Sequence, residues 1–177
     1  MPNRFRPCIL TLAMSSACAL WAPLAGQSPA GDGAEPGSPD VCAIVTHDEV
    51  KQLSEDPMVK FWTEPEATMV AGGAVCDYSG GQIRLYSGSQ SEANWNHALE
   101  VWNQDGQPRT PISGIGDRAY LMYNKPRSKY EGRYAVVAAT VGRHTVTVAL
   151  EANGEEPVEQ VRPRVEALAR LVVSKLR

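Results

Sequence analysis

RYAVVAATVGRHTVTVALEA, Arg133 to Ala152, is the stretch on which the fold turns. Two runs rich in β-branched residues flank Gly142-Arg143, a two-residue connection whose leading glycine suits a type II′ hairpin turn. In the first run Val136, Ala138 and Thr140 share one face of a strand, and Ala135, Val137, Ala139 and Val141 share the other. Both faces are apolar, so this strand belongs inside a sheet and not at its edge.

Working outward, RAYLMY (Arg118–Tyr123) alternates with a period of two and reads as a further strand of the same sheet. Ala74 to Tyr86 repeats the pattern around Gly80-Gly81 and predicts another hairpin. Between these strand groups Ser89 and Glu92 form an S-x-x-E capping box. It heads a helix with Trp95, Ala98, Leu99 and Trp102 on one stripe, stopped by Asp105-Gly106. That stripe reads as core packing, with a tryptophan ligand platform as the alternative. Thr46 and Glu49 form an earlier T-x-x-E box behind Val45, which predicts a helix over His47–Ser54 closed by Asp56-Pro57. Val158, Val161, Val165, Leu168, Val172 and Leu176 fall at helical spacing near the C-terminus; Pro163 places the regular helix from about Arg162, with a separate turn before it. The order is α-β-β-α-β-β-β-α. It predicts an α+β domain, an antiparallel sheet of about five strands with helices packed on it, spanning 41–177.

The chain opens MPNRFRPCILTLAMSSACALWAPLAGQ, with Arg4 and Arg6 ahead of an apolar run and small residues near Gly26. That layout predicts a secretory signal over 1–26. The run is interrupted by Ser15-Ser16 and closed by Pro23, short of the roughly 20 apolar residues of a membrane span. Export to the periplasm or exterior is expected, with no transmembrane span in the mature chain. The alternative end-point is a lipoprotein anchored through Cys18, although Ser15 stands where lipoprotein processing expects an aliphatic residue. Residues 27–40, rich in Gly, Pro, Ala and acids, read as a flexible lead-in. Loss of two arginines with the signal takes the net charge from −3 to −5. An acidic domain gains no general attraction to phosphate backbones, so nucleic acid is not an expected partner. Of four cysteines only Cys42 and Cys76 survive cleavage, and an even pair in an oxidising compartment predicts a disulfide. The rival, a two-thiol metal site with His47 or Asp77, lacks ligand spacing, so no metal is expected.

PISGIGDRAYLMY (Pro111–Tyr123) contains G-x-G-x-x-A, the spacing of a dinucleotide turn. Such a turn needs a buried strand before it and a helix after it. Here polar, proline-broken TPIS precedes and a strand follows, so no nucleotide cofactor is expected. Gly114 and Gly116 read as a structural turn, with Asp117 bonding local amides.

The run C-x-x-x-[ST]-x-x-E-V (Cys42, Thr46, Glu49, Val50), the C-x-Y strand (Cys76, Tyr78) and G-I-G-D-x-A-Y (Gly114–Tyr120) occur in this order before a hairpin and a final helix. In this the chain resembles small exported domains and lipoproteins of unknown function from bacterial envelopes, common in actinobacteria. The resemblance covers roughly residues 41–177. It implies a compact cystine-bridged envelope domain and transfers no catalytic residues.

No G-x-S-x-G, S-x-x-K, H-E-x-x-H or P-loop occurs, and His47, His97 and His144 have no partner at metal spacing. YNKPRSKYEGRY (Tyr123–Tyr134) concentrates Lys125, Arg127, Lys129, Tyr130 and Arg133 in a loop. This patch suits an anionic envelope polymer, a lipid headgroup or an acidic protein surface, and the alternative is a solvated loop whose charges deter edge pairing. Residues 57–73 contain apolar groups that read either as a flap or as cover for a sheet edge. The chain therefore reads as a noncatalytic envelope domain without cofactors, binding an envelope protein, an anionic polymer or a small ligand. The alternatives are a periplasmic hydrolase with a dispersed site and a carrier of a small apolar ligand.

Overall fold

β6 (Tyr134–Val141) and β7 (His144–Glu151) form the hairpin expected from Arg133–Ala152, in the register Val137 opposite Val148 and Val141 opposite His144. The computed structural model describes residues 40–54, 66–70, 73–78, 80–88, 91–103, 106–124, 126, 128 and 131–177, all within the compact unit Gly31–Arg177. The expected signal with Cys18, residues 27–39, Asp56-Pro57, residues 57–65, Ser89, Asp105, and Lys125, Arg127, Lys129 and Tyr130 lie outside the described residues.

The architecture is α+β, with one antiparallel sheet carrying seven strands among the described residues. Besides β6 and β7 these are β1 (Glu66–Val70), β2 (Gly73–Tyr78), β3 (Gly81–Tyr86), β4 (Thr110–Ile112) and β5 (Arg118–Tyr123), in the spatial order β1-β2-β3-β7-β6-β5-β4. The expectation of about five strands missed the two outermost. β4 holds Pro111 and exposed Thr110, which disqualify it as a buried strand but not as an edge strand, where an unused N–H costs nothing. β1, from the ambiguous stretch 57–73, gains its pairing only from β2.

Register divides the side chains between two faces. Ile83, Leu85, Val137, Ala139, Val146 and Val148 point to one side and pack with Val165, Leu168, Ala169 and Val172 of α3 (Arg162–Lys175). Each fully buried Val or Leu there contributes roughly 1.5–3 kcal/mol. The short turn Val158–Val161 precedes α3, and Pro163 sits in its first turn, where a missing N–H costs no hydrogen bond. On the same side α1 (His47–Ser54) buries Val50. Its capping box is reciprocal: Glu49 N–H donates to Thr46 Oγ1 at 3.2 Å and Thr46 N–H to Glu49 Oε2 at 2.8 Å. Asp40, counted with the lead-in from sequence, belongs to the fold, since its carboxylate accepts from Cys42 N–H at 3.0 Å. Cys42 and Cys76 form a disulfide with Cα atoms 5.2 Å apart, tying the turn Val41–Ala43 to β2.

The opposite face is covered by α2 (Ser91–Trp102), which packs Trp95 and Leu99 onto Met122, Val136, Ala138 and Ala149. Glu92, read from sequence as half of a capping box, pairs with Arg118 of β5 at 2.7 Å.

Candidate functional site

The expected loop patch rests on a fixed base. Asn124 donates from Nδ2 to the Gly132 carbonyl at 2.8 Å and accepts the Tyr134 N–H on Oδ1. Arg133, the one described cation of that patch, donates its guanidinium to the Gly154 carbonyl. It thus joins the loop to the segment after β7. Tyr134 brings its hydroxyl 3.4 Å from Glu151, and burial together with that carboxylate raises its pKa to about 12.

The G-I-G-D turn clamps the start of β5 to the end of β6, its neighbour in the sheet. Gly114 and Gly116 have φ of +77° and +62°, and a Cβ on Gly116 would lie 2.1 Å from the Thr140 carbonyl oxygen. Asp117 was expected to bond local amides. Its carboxylate instead accepts the N–H of Gly142, in the β6–β7 turn, at 2.8 Å, because Gly116 lets this loop press against the end of β6. Asp117 N–H also donates to the Thr140 carbonyl at 2.7 Å. Glycine spacing here serves strand packing, with β5 following directly.

The sheet face under α2 is where polar and aromatic groups converge. Trp95 lies 4.3 Å beneath the Arg118 guanidinium and 5.8 Å from the Tyr120 ring. Trp102 lies 5.8 Å from Tyr134 and 5.9 Å from the Arg84 guanidinium, and Tyr86 meets His97 edge-on at 5.6 Å. Trp95 is only 3% exposed, so the stripe is core at that end, as expected, while Trp102 is half-buried at the other.

Across β3 and β7 on this face, Tyr86 stands opposite Thr145 and Arg84 opposite Thr147. Tyr86, Thr145 and Thr147 are at most 1% exposed, yet Tyr86 OH, Thr145 Oγ1 and Thr147 Oγ1 make no hydrogen bond. From the helix side Trp102 Nε1 and Asn103 Oδ1 are likewise buried without a partner. Arg84 spends Nε on the Gln82 side-chain oxygen, and Gln82 passes its amide to Asp77; among the described residues no carboxylate is ion-paired with Arg84. The missing signal in the sequence was weak: T-V-T-V reads simply as a good strand, because threonine suits strands as well as valine does.

A second juxtaposition lies on the α3 side at the end of the sheet. Ser87 Oγ is 2.8 Å from His144 Nδ1, although 57 residues separate them. Burial, then the neighbouring Arg143 charge, lowers the His144 pKa below its ordinary value and favours the neutral ring. His47 opens α1 and His97 lies on α2, so the three histidines are not brought together. Among the described residues no three His, Cys, Asp or Glu side chains cluster as metal ligands, and no helix is long and apolar enough to cross a membrane.

No protein-family model and no curated protein matches the chain.

Proposed function

We propose that the protein is an exported, noncatalytic bacterial envelope domain that binds a ligand on the sheet face beneath α2. One observation carries this reading: the polar seam of Tyr86, Thr145, Thr147 and Trp102, buried and unpartnered. Each such group costs about 1–3 kcal/mol when desolvated without a bond, and a marginally stable domain tolerates several together most readily where another molecule supplies the partners. The cystine suits an oxidising compartment. A polar seam also speaks for a ligand with hydrogen-bonding groups over the purely apolar cargo of a carrier.

The test is native mass spectrometry of the full chain purified gently from its own envelope, then of the same sample denatured without reductant. Extra mass that leaves on denaturation is expected. A bare chain, together with bound water alone at the seam in a high-resolution crystal structure, would overturn the reading.

The Ser87–His144 pair favours a second reading, a periplasmic hydrolase. A neutral imidazole 2.8 Å from a hydroxyl can take its proton as the oxygen attacks an acyl group. That reading expects a fluorophosphonate probe to label Ser87, with labelling lost in Ser87→Ala and His144→Ala. A chain that resists the probe would remove it.

A further inference from the structure

We infer that the seam beneath α2 takes a small organic carboxylate, held by Arg84, Trp102 and Thr147. This rests on the binding role proposed above and names the chemistry of its ligand. Arg84 projects from the middle of β3 onto the α2 side of the sheet, half-buried, with a cation that no acid neutralises among the described residues. Its Nε is committed to Gln82, which leaves the two terminal nitrogens as a planar pair of donors. Asp77, the acid nearest along this chain of bonds, is engaged by the Gln82 amide and not by the guanidinium.

Around that cation the unpartnered groups are suited to an anion. Trp102 Nε1–H can only donate, and its ring centre is 5.9 Å from the guanidinium carbon. Thr147, directly opposite Arg84 in the register, offers a buried hydroxyl with no bond of its own. A guanidinium fork beside single N–H and O–H donors matches the two in-plane oxygens of a carboxylate. The Trp102 and Tyr134 rings pack on each other, 5.8 Å between centres and 57° between planes, so an apolar body attached to the anion would lie against their outer face and not between them. Thr145 and Tyr86, one step along the same strands, would serve polar substituents further in. Trp102, Arg84 and Gln82 are all half-buried, which places the entry at the C-terminal end of α2.

The test titrates the full chain, disulfide intact, with benzoate, uncharged benzamide and inorganic phosphate, following the Trp102 indole N–H resonance and the unfolding midpoint. Benzoate should shift the indole signal and raise the midpoint, with benzamide and phosphate weaker by roughly ten-fold or more, the worth of a charge-assisted bond. Arg84→Gln should lose benzoate affinity by a similar factor. Thr147→Val, nearly isosteric and safe for folding, should weaken benzoate without altering the midpoint of the free chain downward. Equal binding of benzamide, stronger binding of phosphate, or benzoate binding unchanged in Thr147→Val would overturn the inference. If the gently purified chain carries a ligand that Arg84→Gln and Thr147→Val both retain, the binding role stands and the carboxylate assignment falls. If the chain is bare and benzoate does not bind, both fall.

Discussion

Replacing Gly116 with alanine would place a methyl carbon 2.1 Å from the Thr140 carbonyl oxygen, at a φ of +62°. The left-handed conformation costs a non-glycine residue about 1–2 kcal/mol. The obstructing atom is backbone, so it cannot swing aside as a side chain would. Moving it also weakens the 2.7 Å bond it accepts from Asp117 N–H, a loss of about 0.5–1.5 kcal/mol. Together these predict a destabilisation of roughly 1.5–3.5 kcal/mol. Gly114→Ala is the internal control, for its φ is +77° and a Cβ there meets nothing within 4 Å. It should lose only the conformational part, about 1–2 kcal/mol. Urea unfolding of the oxidised chain, followed by tryptophan fluorescence, measures both if the slope with denaturant stays constant. Equal midpoints for the two variants would refute the claim that close approach to β6 is what requires glycine at 116.

Asp117→Ala should remove the 2.8 Å tie to Gly142 and destabilise the domain by about 1–2 kcal/mol; no change in urea midpoint would deny the clamp its role. Cys42→Ser paired with Cys76→Ser opens a loop spanning a sequence separation of 34 and should cost about 3–4 kcal/mol in the chain-entropy model, read as a drop in unfolding midpoint. Thr145→Val removes a buried hydroxyl that has no partner and should leave the ligand-free chain as stable or more stable; a loss above about 1 kcal/mol would mean the hydroxyl is bonded in solution. His144 binds its proton less readily folded than unfolded, because its pKa is lowered from 6.5 by burial and by Arg143. Its contribution is therefore whole above pH 6.5 and lost as pH falls from there through the folded pKa. His144→Gln should flatten that part of the stability profile, and an unchanged slope would place the titration elsewhere.

Local signals carried most of the fold because each is short in range. The Thr46–Glu49 box placed α1 at His47–Ser54 since both partners of the cap lie within one turn. Pro163 marked the change from the turn Val158–Val161 to α3, since a proline is tolerated only where the N–H has no helical partner. β4 escaped because its pairing with β5 overrides the polar, proline-containing character of Thr110–Ile112. The candidate site was less legible. Arg84, Thr147 and Trp102 come from β3, β7 and α2, and no spacing in the chain connects them. Ser87 and His144 met for the same reason, through the pairing of β3 with β7.

The sequence by itself determined that Tyr134–Val141 lies inside a sheet, that two helices begin near Thr46 and Arg162, and that Cys42 and Cys76 are an even pair. Periodicity, capping and cysteine number act over a few residues or by simple count, so they can be read without the fold. Only the tertiary structure decided which polar groups lose water and find no partner, and that Asp117 reaches Gly142. Desolvation depends on what covers a group from every side, and the covering elements here are distant in the chain.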